Sequence, residues 1–178
     1  MIRNATPEDA DRLLEIYSYY VLNTAITFEI EVPAASEFRG RIENISAKYP
    51  YLVLEEEGRI LGYAYAGVFK GRAAYDHCVE TTIYLDRDAR GKGYGRILYA
   101  ALEQELKARG IRNLYACIGD PIEEDEYLTK ASEHFHSRMG YTKVGEFHKC
   151  GRKFGRWYNM IWMEKFIAEH EAAQHEEK

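Results

Sequence analysis

Val79-Glu80-Thr81-Thr82-Ile83-Tyr84-Leu85, followed by Asp86-Arg87-Asp88-Ala89 and then Arg90-Gly91-Lys92-Gly93-Tyr94-Gly95, is the stretch on which the fold turns. The first segment is rich in β-branched and aromatic residues and predicts a strand. A glycine-rich loop occupies 90–95, and Ile97, Leu98, Ala101, Leu102 and Leu106 then recur at helical spacing until Gly110 stops the pattern. Glycines remove side chains, so main-chain N–H groups can close on an anion. A helix N-terminus adds unpaired donors and partial positive charge. Strand, glycine loop and helix together predict a phosphate cradle, with Arg87, Arg90, Lys92 and Arg96 adding charge beside it.

Upstream, Thr6-Pro7-Glu8-Asp9 reads as a helix start, with apolar Ala10, Leu13, Leu14, Tyr17 and Val21 behind it. Phe38, Ile42 and Ile45 predict a second helix, and Tyr51–Leu54 and Ile60–Ala66 a hairpin about Glu57-Gly58. Downstream, Leu114–Ile118 predicts a strand, Tyr127–Met139 a helix, and Thr142–Phe147 and Trp157–Met163 two closing strands. This order predicts an α/β (α+β) sheet with helices on its faces. A domain over 1–166 precedes a charged tail, 167–178, expected as a frayed helix outside the core.

The chain has 178 residues, 46% of them hydrophobic, enough for one domain with a real core. A net charge of −5 argues against nonspecific nucleic-acid binding. No apolar run approaches the about 20 residues that span a bilayer, and Met1–Glu8 carries no leader pattern. Cys78, Cys117 and Cys150 form no C-x-x-C pair, which predicts reduced thiols and a cytoplasmic protein. The 15 tyrosines read as half-buried aromatics.

Gly91-Lys92 is followed by Gly93, so a Walker A loop fails for want of Ser or Thr. Arg96 stands where a dinucleotide fingerprint needs its third glycine. The spacing Arg90-x-x-Gly93-x-Gly95 instead resembles the pyrophosphate loop of the GNAT acetyltransferases. Tyr49–Val53, Gly62–Gly67, Ala74-Tyr75-Asp76, Val79–Tyr84 and Lys153–Trp157 are similar to the phosphinothricin and methionine-sulfone N-acetyltransferase branch, from about residue 2 to about residue 166. The resemblance implies a single twisted mixed sheet of about seven strands, split into a V where acetyl-CoA inserts, and a homodimer. It implies acetyl transfer to the amine of a small amino-acid-like acceptor, with no metal, nucleic acid or membrane.

Resemblance also supplies the site. Glu80 falls on the family's catalytic glutamate; its neighbours in alternation, Thr82 and Tyr84, place it toward a polar cleft, although a surface carboxylate or structural ion pair fits the residues alone. Ser132–Tyr141 aligns His136 with the family's histidine, leaving open a proton donor to the leaving thiolate or a plain cofactor contact. Ile83, Tyr84 and Leu85 are expected to pair with the pantetheine arm, and Arg90, Gly91, Lys92, Gly93, Tyr94, Gly95 and Arg96 to hold the pyrophosphate. Thr129 stands where an Asn often touches the cofactor. Phe28, Lys70, Arg72 and Tyr75 match the branch's substrate pocket, with Glu29 where a basic residue is expected. The long acidic link Gly119–Tyr127 is expected to shape one rim of the cleft.

Other chemistries fit less well. His134-x-His136 with His148-x-Cys150 matches no zinc spacing. Neither Cys78 nor Cys117 lies in an activating pattern, which favours direct transfer over an acyl-enzyme. A non-catalytic acetyl-CoA sensor of the same fold, and a nucleotide-binding protein, remain as alternative functions.

Overall fold

The computed structural model describes residues 1–171. Its strands are β1 (Ile2–Asn4), β2 (Tyr51–Glu56), β3 (Arg59–Val68), β4 (Cys78–Leu85), β5 (Asn113–Asp120), β6 (Thr142–Lys153) and β7 (Arg156–Phe166). The helices are α1 (Ala10–Asn23), α2 (Ala35–Ser46), α3 (Tyr94–Ala108) and α4 (Ala131–Arg138). One seven-stranded sheet runs β1-β2-β3-β4-β5-β7-β6. Every neighbouring pair is antiparallel except β4 and β5.

Strand alternation assigns the two faces. Tyr51, Val53 and Tyr63 pack with Leu13, Tyr17, Phe38 and Ile42 of α1 and α2. Leu52, Leu54, Ala64 and Val79 pack on the other face with Leu98, Leu102 and Leu106 of α3. Each of those three leucines is fully buried, a contribution of about 1.5–3 kcal/mol apiece. A cluster of tyrosines lines the first face: the Tyr51 and Tyr65 rings stack at 4.7 Å, and Tyr20 meets Tyr84 edge-on at 4.9 Å.

The parallel seam is short. β4 pairs with β5 only through Cys78↔Asn113, Val79↔Leu114 and Glu80↔Tyr115. Beyond Glu80 the seam is open, while β4 stays paired to β3 as far as Leu85 and β5 to β7 as far as Asp120. This is the split of the V, and Glu80 sits at its apex. No helix among the described residues is long and apolar enough to cross a membrane.

Several boundaries differ from the expectations. β1 is an added strand: three residues too short to show a pattern, held by antiparallel pairing to β2. Pro7–Asp9 forms a 3-10 turn before α1, with the Thr6 amide donating to the Asp9 carboxylate at 2.8 Å. The expected helix over 127–139 begins only at Ala131, because Asp125 Oδ1 accepts from the amides of Tyr127 and Leu128, both at 2.8 Å, and holds that stretch as a turn. β6 continues past Phe147 to Lys153 through a register shift between Phe147 and Gly151. Ile167–Glu171 is neither helix nor strand: Ile167 packs against the core and its amide donates to Arg112 O at 2.8 Å. The remainder of the expected tail helix, 172–178, lies outside the described residues.

Candidate active site

Asp86 ends β4 and fixes where the loop begins. It is buried, pairs with Arg12 and with Arg59 (2.9 Å), and accepts from the Asp88 amide at 3.0 Å. Those bonds outweigh burial and hold its carboxyl below the usual range. The chain then enters α3 through Gly91 (φ 74°) and Gly93 (φ 84°), left-handed conformations that suit glycine. Gly93 is the N-cap, so α3 opens at Tyr94, inside the stretch 90–95 expected as loop. Its carbonyl accepts from the amides of Arg96 (3.1 Å) and Ile97 (3.3 Å). The amides of Gly91, Lys92, Gly93, Tyr94 and Gly95 have no backbone acceptor among the described residues. Five successive free donors at a helix N-terminus fit a pyrophosphate.

The flanking cations do not all face this loop. Lys92 and Arg96 are exposed beside it. Arg90 turns back onto α1, donating to the Tyr20 hydroxyl at 3.3 Å with its guanidinium 4.8 Å from that ring's centre. Arg87 lies over Tyr19 at 5.6 Å. The Tyr94 hydroxyl donates to Glu56 at 2.7 Å.

A cavity of about 340 Å³ runs through the split. Phe28, Tyr65 and Glu80 line it from the α1/α2 side; Tyr99, Ser132 and His136 line it from the α3/α4 side. The opened stretch of β4, from Thr81 to Tyr84, forms one wall. Past Glu80, the edge of β4 that would have faced β5 carries no ladder bonds, so alternate main-chain groups along it are available to an extended ligand. This edge and the five free amides are adjacent in sequence, at the two ends of Asp86–Arg90.

Glu80 is half-buried, and among the described residues its side chain has neither a hydrogen bond nor an ion pair. Burial raises its pKa; the Lys70 charge opposes that rise. Lys70 is exposed, its Nζ 5.1 Å from the centre of the Phe69 ring and 5.9 Å from that of Trp162. Tyr75 meets Phe69 edge-on at 6.0 Å, while Arg72 stands exposed on the same β3–β4 connection. The structure thus joins Phe28 and Glu80 in one cavity, sets Lys70 near its mouth, and leaves Arg72 and Tyr75 outside the lining.

His136 is buried. Its Nδ1 lies 2.8 Å from Ser132 O, an acceptor, so Nδ1 carries the proton and Nε2 accepts from the Tyr99 hydroxyl at 3.0 Å. Burial pushes the imidazole down to about 4. At neutral pH His136 is uncharged and its free lone pair is already engaged, an arrangement that suits cofactor contact better than proton donation. Thr129 is exposed and outside the cavity lining; its Oγ1 accepts from the Ala131 amide at 3.3 Å, at the start of α4.

Cys117 also lines the cavity. Cys117 is exposed overall; desolvation in the cleft, with the Glu80 charge nearby, pushes its thiol up to about 12, which favours the neutral thiol. Sequence reasoning missed Tyr65, Tyr99, Cys117 and Met160 as lining residues. The acidic link spends its carboxylates on itself and on β7: Arg156 pairs with Asp125 (2.9 Å) and Glu126 (2.7 Å), and Glu124 accepts from the Lys130 amide at 2.7 Å. Only its ends, through Gly119 and neighbouring Leu128, reach the main cavity. No cluster of three or more metal-binding side chains occurs among the described residues.

The family model for the acetyltransferase (GNAT) domain matches residues 2–162. Phosphinothricin N-acetyltransferase of Streptomyces coelicolor is 35% identical over 92% of this chain and 94% of its own length. The L-methionine sulfoximine/L-methionine sulfone acetyltransferase of Salmonella typhimurium is 31% identical over 96% of each. A phosphinothricin acetyltransferase from Sinorhizobium meliloti, solved in complex with acetyl-CoA, superposes with a TM-score of 0.84 at 35% identity, covering 93% of this chain and 87% of that one. The split sheet, the loop amides and these likenesses agree: the chain belongs to the GNAT superfamily and is an N-acetyltransferase of the branch that includes the phosphinothricin and methionine sulfone enzymes.

Proposed function

We propose that the protein moves the acetyl group of acetyl-CoA directly onto the amine of a small amino-acid-like acceptor, the C–N bond forming as the thioester C–S bond breaks and coenzyme A leaves as its thiolate, with Glu80 as general base. The position of Glu80 carries this reading: a half-buried carboxylate without a partner, at the apex of the split, where the open edge of β4 begins. Bound acetyl-CoA supplies the activated acetyl group as a thioester. The amides of Gly91–Gly95 hold its pyrophosphate, and the edge Thr81–Leu85 aligns the pantetheine arm. An amine of pKa near 10 is about 99.9% protonated at pH 7, a handicap of roughly 4 kcal/mol. Glu80 takes that proton within the cleft, directly or through a water, and its raised pKa strengthens it as a base. Holding amine and carbonyl together adds a proximity term of up to about 7–11 kcal/mol. His136 contacts the coenzyme from the opposite wall as a neutral imidazole.

On the acceptor side, Phe28 forms an apolar wall and Lys70 offers a cation for the acceptor's carboxylate or comparable anion, with Arg72 and Tyr75 on the same connection. Phosphinothricin and methionine sulfone, which the relatives' names carry, head the acceptors to try. The reading includes a homodimer in the cytoplasm, checked by light scattering. The test of function is a thiol-release screen of amino acids and analogues with acetyl-CoA. Turnover with at least one acceptor is expected. Saturable coenzyme A binding with no turnover across the panel would favour the non-catalytic sensor instead.

A further inference from the structure

The segment 24–34, between α1 and α2, carries Ile26, Thr27 and Phe28 into the cavity. It has no helix or strand of its own, yet it is clamped from three sides. The Ala25 amide donates to Tyr127 O at 3.0 Å, the Tyr17 and Thr27 hydroxyls lie 2.8 Å apart, and Lys153 Nζ donates to Thr27 O at 2.8 Å. Lys153 is unusual: it ends β6, is 4% exposed, and its amine is hydrogen-bonded to that one carbonyl. A buried ammonium is costly and is retained where it holds something in place.

The Phe28 ring rests on bare backbone. A Cβ built at Gly151 of β6 would lie 2.3, 2.6 and 2.8 Å from three atoms of that ring. At Gly119 of β5, a Cβ would lie 3.0 Å from Ala25 O and 3.4 Å from the ring. The strand between them is β7, whose Tyr158 ring centre lies 6.4 Å from that of Phe28. Gly151 is not in a left-handed conformation, so its lack of a side chain serves the close approach of Phe28 and not a turn.

We propose that Gly151 and Lys153 of β6, neither of which lines the cavity, are positioning residues that seat Phe28 and so set the size of acceptor the cleft admits. The proposal rests on the acetyltransfer reading above. Gly151 fixes the depth of the ring, and Lys153 fixes the height of the main chain beside it. A methyl group at 151 displaces the ring from the sheet toward the cavity, narrowing the acceptor end and leaving the loop amides at 91–95 untouched.

The test compares wild type, Gly151→Ala, Phe28→Ala, the double variant and Lys153→Met on a panel from glycine to phenylalanine, with acetyl-CoA varied separately. Gly151→Ala is expected to lower kcat/KM for the largest accepted amino acid by about tenfold or more relative to the smallest, with KM for acetyl-CoA within about twofold. In the Phe28→Ala background Gly151→Ala should add almost nothing, since the ring it displaces is gone. Lys153→Met should alter the same selectivity through the main chain, and it keeps the idea testable if Gly151→Ala fails to fold. Equal losses for all acceptors, or additive effects in the double variant, would overturn the proposal while wild-type turnover upholds the acetyltransfer reading. Absence of turnover by the wild type across the panel would overturn both.

Discussion

Replacing Glu80 by Gln keeps the shape of the side chain and removes its capacity to take a proton. The structure bounds the consequence from two sides. Glu80 has no ion-pair partner to strand and sits where burial disfavours its charge, so the neutral amide should leave the melting temperature unchanged or slightly raised. The amine's protonation handicap is roughly 4 kcal/mol at pH 7, and a positioned base contributes about 100- to 10,000-fold. Glu80→Gln should therefore lower kcat/KM by about that factor, or ~2.7–5.5 kcal/mol. The deficit should shrink at alkaline pH, because the acceptor then loses its proton to water. The assay is thiol release at saturating acetyl-CoA from pH 6 to 9.5, beside coenzyme A binding by calorimetry. Wild-type kcat/KM should also carry a rising limb, above the ordinary glutamate pKa, that the variant lacks. A folded variant that binds coenzyme A normally and keeps kcat/KM within about threefold of wild type at pH 7 would refute the reasoning.

Two further substitutions test His136 and the loop before α3. His136 has a native pKa of about 4 against an ordinary 6.5, so between those values the unfolded chain binds more protons and stability falls as pH falls through the window. The loss approaches about 3 kcal/mol below pH 4; urea midpoints from pH 7 to 4 should show it in wild type and not in His136→Gln, and parallel slopes in the two proteins would contradict the buried neutral imidazole. Gly93→Ala places a side chain at φ 84° on the N-cap of α3, at a cost of about 1–2 kcal/mol. Coenzyme A affinity should drop with it while the acceptor's KM holds, which calorimetry and steady-state kinetics will separate.

The loop and its strand were legible because their chemistry is local: glycines, a strand and a helix start within 18 residues, Val79–Arg96, show the cradle without reference to the rest of the chain. Glu80 was legible as an acid out of place in a β-rich run. Its meaning needed the register, since only the pairing to Tyr115, 35 residues on, puts it at the end of the parallel seam. His136 shows the limit of such reading. Its tautomer is set one helical turn away, at Ser132 O, but its burial and its second hydrogen bond depend on Tyr99, 37 residues away, and leave no local pattern. Lys153 and Thr27 meet across 126 residues of sequence, and Gly151 reads as an ordinary strand glycine until Phe28 is seen lying on it. Nor does charge in the sequence show that Arg90, expected beside the phosphate, lays its guanidinium over Tyr19 and Tyr20 of α1.

The most direct test of the account is a titration of ¹³C,¹⁵N-labelled protein with acetyl-CoA, read at single amides and side-chain carboxyls. Saturable shifts are expected at Gly91–Gly95 and along Thr81–Leu85, with a Glu80 carboxyl resonance that moves in the same titration. Coenzyme A leaving those amides unmoved at millimolar concentration, or shifting the loop without any response at Glu80, would contradict it.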